Sequence, residues 1–463
     1  MMSRFVYPLI LATLLLVPCS TTGCKKQEKP SDDPEEEVVK VQKPTDRNDD
    51  EGLLTYYQYQ HFQYMWSGGC PNSGLARVRY WRDNPSKDAD IITVGASGFG
   101  LMGIIVAVER HFITRDDALK RFEKVLDFLE RADRWHGMFP HWYYDSTAKT
   151  KPFGGKEDDN GADVHESANL IQGLLCVRQY MDKTVAREKA IAERIDALWQ
   201  AMEWDWFVDE NGAILWHWSP TVGFQKHLEM TGFNETHIVY ILACSSPTHP
   251  VAPEVYKTGW GKNGDIVNDA TRYDIPIYVR QHKGTYEVGP MYWTAFSYAG
   301  FCPKGIKDPY GIDYFEALKS HALIQYTYCS QDNPNKFSCY SEDCWGMSSG
   351  YTTNNSSDYQ AMCTKNDVGV ITADAAIIAM PYTPEKSLAV ARHFYWDVPT
   401  QMGPWGLWDS YSDTEGTVYK YLGNNQCIVV PMIENYRTGL LWDLFMSCPE
   451  IQEGLDKIGF TKN

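Results

Sequence analysis

The sequence predicts an all-α fold in two concentric layers, and three observations predict it. Apolar helical segments alternate with amphipathic ones along the chain. The period-two alternation that marks half-buried strands is sparse. The segments joining the helices are long and rich in Trp, His, Gly and Asp, a content that marks functional loops rather than spacers. A helix apolar on every side must be covered on every side, whereas an amphipathic one faces water, so the first kind belongs inside and the second outside. A ring of about six α-hairpins, each roughly 65–70 residues with its loops, would use the available length. The 463 residues are 43% hydrophobic, which suffices for one large core.

The elements follow in order. M-M-S-R-F-V-Y-P-L-I-L-A-T-L-L-L-V-P-C has one basic residue and then a short apolar stretch, the pattern of a secretory signal rather than a membrane span. S-T-T-G-C then places small residues before Cys24, which resembles a bacterial lipoprotein signal whose cysteine becomes the lipidated first residue. Thr21 stands where such signals usually carry Leu, and Cys19 is a weaker second candidate. Residues 24–51 are charged and poor in large apolar groups, so they read as a flexible linker. The expected divisions are a signal over 1–23, this linker over 24–51, and one body over 52–463. The expected location is the cell envelope, on the outer-membrane surface or in the periplasm, with the lipid as the membrane contact.

The body opens on L-L-T-Y-Y-Q-Y-Q-H-F-Q-Y-M-W, with aromatic residues at helical spacing. Residues 98–110 are nearly all apolar. An amphipathic helix opens at Thr114, with acids in its first turn. H-E-S-A-N-L-I-Q-G-L-L-C-V-R-Q-Y is apolar, A-R-E-K-A-I-A-E-R-I-D-A-L-W-Q-A-M amphipathic, and E-T-H-I-V-Y-I-L-A-C apolar again. Later helices are expected at 312–328, 372–380, 385–396 and 428–446.

Composition narrows the function. Forty-three basic against 60 acidic residues leave a net charge of −17, with no basic excess to neutralise phosphates, which disfavours nucleic acid. Sixteen Trp and 29 Tyr offer flat apolar faces with polar edges on which sugar rings stack, although most of them would serve the core. Beyond Cys19 and Cys24, the remaining cysteines are scattered without C-x-x-C pairs or paired His spacing, which argues against a structural zinc site. Cys339 and Cys344 are near enough to cross-link and equally plausible as thiols. Neither metal nor cofactor is expected.

In D-N-G-A-D-V-H-E-S, Asp163 could cap a helix with Glu166 at its third position. T-G-F-N-E-T-H repeats the arrangement with Glu235 before another apolar helix. If both helices are inner, their starts point to the same end of the ring and their acids converge. Hydrolysis of a glycosidic bond needs such a set: one carboxyl gives a proton to the leaving oxygen, and another activates water or attacks carbon. A helix start favours the charged form, so a general acid there must be desolvated. R-W-H-G-M-F-P-H-W-Y-Y-D and W-H-W-S-P offer His141, Trp142, His217 and Trp218 as loop platforms for sugar, with core packing the alternative. G-A-S-G-F-G is only loosely a phosphate loop, and close helix packing explains its glycines better. No G-x-S-x-G elbow supports a serine nucleophile.

Several long motifs, in order, carry a resemblance: G-A-S-G-F-G-L-M-G-I-I-V-A-V-E-R, H-G-M-F-P-H-W, D-V-H-E-S-A, W-H-W-S-P, G-F-N-E, S-S-P-T-H-P, W-G-M-S-S, P-Y-T-P-E and M-I-E-N-Y-R-T-G-L-L-W. Over roughly residues 53–460 the chain resembles the glucoamylase-like domain of Bacteroidetes lipoproteins, which is similar to glycoside hydrolase family 144, the endo-β-1,2-glucanases. The resemblance implies an (α/α)6 barrel that cleaves a β-linked glucan, most simply β-1,2-glucan, with inversion and without metal. It implies functional acids at Asp159, Asp163, Glu166 and Glu235, with Glu235 as general acid, Asp163 and Glu166 positioning sugar or water, and Asp159 beside them. Through the same motifs Asn234, Trp345, Asn425 and Glu434 become candidate substrate contacts. A monomer acting on an oligo- or polysaccharide is expected.

Three departures stand out. Relatives carry I-D-Q-G-P where this chain has N-N-Q-C-I, so Asn425 replaces an Asp, and an amide is no base near neutrality. Ala295 stands in a His position and Tyr351 in an Asp position. The alternatives are therefore a glycan-binding surface lipoprotein with impaired catalysis, or a glucoamylase-type hydrolase of another linkage. Lyase or epimerase chemistry on the same scaffold ranks third.

Overall fold

A computed structural model describes residues 38–281 and 288–462. The chain is mostly helical. In order, the α-helices are α1 (Asp50–Trp66), α2 (Val94–Glu109), α3 (Arg115–Arg131), α4 (Val164–Tyr180), α5 (Ala186–Gln200), α6 (His237–Ser245), α7 (Pro253–Val255), α8 (Tyr314–Thr327), α9 (Ala375–Ile378), α10 (Pro384–Arg392), α11 (Gly423–Arg437), α12 (Leu440–Met446) and α13 (Pro449–Ile458). The signal over 1–23, Cys24 and the first part of the expected linker lie outside the described residues. No helix among the described residues is long and apolar enough to cross a membrane.

The alternation of layers holds through the first half. α2 and α4 are buried along nearly their whole length and pack on each other. α3 and α5 bury one face each and pack outside them. Glycines set the inner contact: a Cβ on Gly98 would sit 2.0 Å from the Asn169 carbonyl oxygen, and one on Gly173 would sit 2.1 Å from the Gly98 carbonyl. This confirms the packing reading of G-A-S-G-F-G. The outer pair is laced by ions, with Arg187 on Asp116 and Glu123 and Arg194 on Asp127 and Glu130. Such exposed pairs contribute little each, about 0–1 kcal/mol. Their use is to mate two amphipathic faces. α1 lies against both α2 and α11, so the early and late helices of the body are neighbours.

The second half departs from expectation. The segment expected as one helix over 428–446 is two, because Gly439 takes φ 79° between α11 and α12. Only Ala375–Ile378 is helical within the expected 372–380. α13 was not expected; it packs on α6, where a Cβ on Gly454 would meet Ser245 Oγ at 1.9 Å. The long loops fold into two- and three-residue strands, among them Arg79–Trp81 paired antiparallel with Lys420–Leu422.

The expected linker also ends earlier than residue 51. The Val39 N–H donates to the His111 carbonyl, the Tyr395 hydroxyl donates to the Pro44 carbonyl, and Arg47 forms a two-pronged pair with Asp397. Asp49 then caps α1 by accepting from the Gly52 N–H. Charge alone does not free a segment whose backbone and guanidinium find partners on the body. The ten cysteines among the described residues, Cys339 and Cys344 included, are free thiols.

Gly98→Val tests the inner packing. It should lower stability by about 1–3 kcal/mol, the usual cost of overpacking. Chemical denaturation would read this, and an unchanged midpoint would mean α2 and α4 can separate freely.

Candidate active site

Four inner helices begin around one cavity of about 240 Å³. Thr93 at the start of α2, His165 and Glu166 in the first turn of α4, Glu235 just before α6, and Leu422 and Asn424 at the start of α11 all line it. Trp142, Phe153, Trp216, Tyr292, Phe296, Tyr351 and Tyr359 supply aromatic walls. The expected convergence of Glu166 and Glu235 is thus met, although their positions are about 70 residues apart by simple numbering, a separation that packing of inner helices bridges.

Asp163 and Glu166 divide the two roles their spacing allows. Asp163 caps α4: its Oδ1 accepts the Glu166 N–H at 2.9 Å. Glu166 does not reach back to close a capping box. Its Oε2 instead accepts the Gly95 N–H of α2 at 2.7 Å. A Cβ on Gly95 would stand 2.7 Å from that oxygen, so a side chain there would push the carboxylate away. Asp163 itself is fully buried behind the cavity wall, where the Trp216 indole N–H donates to its Oδ1 at 3.1 Å.

Behind that wall runs a chain in which acids and bases alternate. Lys226 Nζ lies 2.7 Å from Asp159 Oδ2, and His217 Nε2 lies 3.4 Å from both Asp159 and Asp163. His141 Nδ1 is 3.0 Å from Asp163 Oδ2, and its Nε2 is 3.8 Å from Glu166 Oε1 in the cavity. Burial works against a charged His141, but Glu166 and Asp163 overcome it and raise its pKa to about 9. The ring is therefore an imidazolium at neutral pH. Asp163 is driven well below the ordinary carboxylate range: burial opposes ionisation, and His141 and His217 prevail.

The two cavity carboxyls go the other way. Burial pushes Glu235 up to about 7, reinforced by the negative charges of Glu166 and Asp163. Burial also raises Glu166 to about 7, with His141 and the Gly95 N–H holding it down. The positive end of each helix favours ionisation, and here desolvation outweighs it.

The other candidates separate. His141 and Trp142 line the cavity, with Phe153 stacked on His141 at 4.0 Å between centroids. Asp159 and His217 form the buried chain just described. Trp218 packs edge-on to His136 and does not line the cavity. Asn234 turns inward to accept from the Thr236 N–H and hydroxyl, so it shapes the turn before α6. Trp345 is core, packed on Tyr326. Glu434 pairs with Arg110 at 2.7 and 3.0 Å and accepts from Gln58. It lies ten residues along α11 from Asn424, roughly 15 Å down the axis. Burial pushes its pKa up, Arg110 pulls it down, and the net shift is downward.

The three departures also resolve. Ala295 is buried and off the cavity, and only Tyr351 lines it. Asn425 is buried, donating to the Ser349 carbonyl at 2.8 Å and to Asp409 Oδ1 at 3.1 Å. Its neighbour Asn424 faces the cavity instead. Sequence reasoning missed Arg79, which donates to the Tyr351 hydroxyl at 3.0 Å and carries its guanidinium 5.1 Å from the Trp142 ring centre. It also missed Asp409, a buried carboxyl raised to about 6 by desolvation. Neither lies in a motif with a chemical pattern of its own. The cavity could hold a sugar ring between aromatic faces, with a proton donor and an anion beside it.

Comparison with known proteins places this geometry. A family model described as "Putative glucoamylase" matches residues 227–449. An endo-β-1,2-glucanase from Chitinophaga pinensis, solved with sophorotriose and glucose, is 44% identical, covering 89% of this chain and 99% of that one, with a TM-score of 0.85. An exo β-1,2-glucooligosaccharide sophorohydrolase from Parabacteroides distasonis is 37% identical over 436 residues, 89% of this chain. This chain spans only 58% of that relative's length. An endo-β-1,2-glucanase from Talaromyces funiculosus, solved with β-1,2-glucan, is 11% identical with a TM-score of 0.64 over 90% of this chain and 92% of that one, a likeness of fold alone.

Glu235 makes stability depend on pH in a defined direction. Its folded pKa of about 7 lies above the ordinary 4.5, so the folded chain keeps a proton that the unfolded chain has lost. Stability from this group is full below pH 4.5 and falls as pH rises to 7, by on the order of 3 kcal/mol. Glu235→Gln cannot titrate, so its advantage over the unaltered chain should grow across that window and level off above it. Urea midpoints at pH 4.5 and 8 measure this; an equal gap at both would show that Glu235 ionises normally.

Proposed function

We propose that this chain, which belongs to the glucoamylase-like family similar to glycoside hydrolase family 144, hydrolyses β-1,2-glucan with a carboxyl pair at the starts of its inner helices. The observation that carries the reading is the pair itself: Glu166 and Glu235, both raised to about 7 in one aromatic cavity. The charge of Glu166 adds to the rise of Glu235, and which carboxyl of the pair is ionised is set by its surroundings. Glu166 has the His141 imidazolium 3.8 Å away and the Gly95 N–H on its other oxygen. Glu235 has no cation among the causes of its shift. Glu166 is therefore the anion and Glu235 the proton donor.

Glu235 protonates the glycosidic oxygen as the bond to the anomeric carbon breaks. Glu166 accepts a proton from the attacking water, and the carbon inverts. Asp163 touches no substrate; it holds His141, and through it Glu166. Asp159 and His217 extend that support. Trp142, Trp216 and Phe153 offer faces for the sugar ring. The (α/α)6 closure of the helices is part of this reading, supported by the alternating layers, by α1 lying beside α11, and by the fold shared with the fungal enzyme. The choice of β-1,2-linkage is supported by the Chitinophaga and Parabacteroides relatives. Lipid attachment at Cys24, with the enzyme on the cell envelope, follows from the S-T-T-G-C signal. A cleft without chemistry has less support, because Asn425 and Ala295 do not line the cavity.

Glu235→Gln should lower turnover of β-1,2-glucan by about 10²–10⁴-fold, as loss of a general acid does. Release of reducing ends reports it, and unchanged turnover removes Glu235 from the reaction.

His141→Gln removes the cation that holds Glu166 down. The acidic limb of the kcat/KM profile, which reports the base, should move to higher pH. A limb that stays put would show that Glu166 is not the base.

A further inference from the structure

We propose a second carbohydrate site, an open aromatic groove that binds the same glucan chain away from the catalytic cavity; it rests on the reading of the substrate given above. The groove has a volume of about 800 Å³, against about 240 Å³ for the cavity, and the two share no lining residue. Tyr56 and Gln60 of α1, Tyr395 and Trp396 after α10, and Trp408 and Tyr419 form much of its wall. The Arg79–Trp81 and Lys420–Leu422 ribbon separates the sites: Leu422 lines the cavity, whereas Tyr419, three residues before it, lines the groove. Side chains three apart along an extended segment point to opposite faces. The groove is thus the reverse side of a cavity wall.

The lining identifies the occupant. Among the described residues no carboxylate lines the groove, although the chain carries 60 acids and a net charge of −17, and Lys43 is the one cation in its lining. An ionic ligand would find little to pair with. Aromatic faces flanked by an amide, hydroxyls and an ammonium suit a neutral polyol, whose C–H faces stack and whose hydroxyls bond at the ring edges. Trp396 is half-buried and so keeps part of its surface for a ligand. The polymer substrate supplies such an occupant: a cavity of 240 Å³ encloses only a short stretch of it.

Neighbouring side chains hold the groove walls. Trp408 stacks on Tyr421 at 4.2 Å, and Arg82 lies 3.3 Å from the Tyr419 ring centre. Gly403 lets the loop close over them, since a Cβ there would meet the Tyr421 hydroxyl at 2.0 Å. The Tyr395 hydroxyl is tied to Pro44, so the segment before α1 helps to fix the rim. Trp396 is the residue to remove, because it is less committed to this packing.

The test is retardation in native gels containing soluble β-1,2-glucan, run on full chains carrying Glu235→Gln so that the polymer survives. Adding Trp396→Ala should weaken retardation by about two- to tenfold, the range for losing one aromatic contact. Trp396→Phe should retain most of it, and Gln60→Ala serves as a second variant in case Trp396→Ala is misfolded by circular dichroism. In the otherwise unaltered chain, Trp396→Ala should raise KM for long glucan and leave turnover of a short β-1,2-glucooligosaccharide unchanged. Equal retardation with and without Trp396→Ala and Gln60→Ala overturns the site, as does retardation by an acidic peptide but by no glucan. A chain that hydrolyses no β-1,2-glucan defeats the function proposed above. Even then, a panel of β-1,2-, β-1,3- and α-1,4-glucans in the gel decides the groove by binding alone.

Discussion

One hydrogen bond ties the site to the scaffold: the Gly95 N–H of α2 to Glu166 Oε2 of α4. It spans the starts of two inner helices and fixes a cavity carboxyl that its own helix leaves free. Asp163 makes this possible. By satisfying the Glu166 N–H itself, it takes over the capping duty, and the Glu166 side chain can turn across to the neighbouring helix. Gly95 is as necessary as either acid, because any side chain there would occupy the carboxylate's place. The tight α2–α4 contact at Gly98 and Gly173 holds the two starts at that spacing. Core packing and site electrostatics are therefore one arrangement.

The charge chain from Lys226 to Glu166 explains how a buried site tolerates three acids and two histidines. Isolated, each buried charge would neutralise. Acids and bases alternate, which gives each a partner within 2.7–3.8 Å. The chain begins at Lys226, which keeps contact with solvent, and ends in the cavity. Its consequence is local: the chain ends on His141, whose ring sits beside Glu166. Two carboxyls with similar raised pKa values then become chemically unlike, which acid–base catalysis requires.

How much of this was legible in the sequence follows from what each signal encodes. The inner and outer helices through α6 were legible, because apolar periodicity is a direct record of burial. Glu235 and Glu166 were legible because each stands at the head of an apolar helix. The break at Gly439 was hidden within a run that is apolar on both sides. Helix α13 was missed, although its pattern is amphipathic. Arg79 and Phe153 reach the site, and Asp409 supports its wall, from loops and short strands, where position depends on pairing with distant segments, such as Arg79 opposite Leu422. Trp345 and Glu434 show the converse error. A motif can persist because it packs a core or balances a buried charge, as Glu434 does with Arg110.

Asn425 illustrates the difference between a motif position and a chemical role. Its place in the motif suggested a lost base. In the structure its amide donates to Asp409, a carboxyl that also accepts the Tyr351 N–H at 2.5 Å. An Asp at 425 would set two carboxylates in contact in a buried space, and one would have to keep a proton. The amide supplies a donor at that point without a shared proton. Asp409 thereby holds the backbone of Tyr351, whose hydroxyl accepts from Arg79 in the cavity wall. The three residues form one unit, in which an amide at 425 and a phenol at 351 replace two expected acids. Removing negative charge there leaves Glu166 and Glu235 as the carboxyls that line the cavity among the described residues, so the altered positions reshape the wall and leave that carboxyl pair in place.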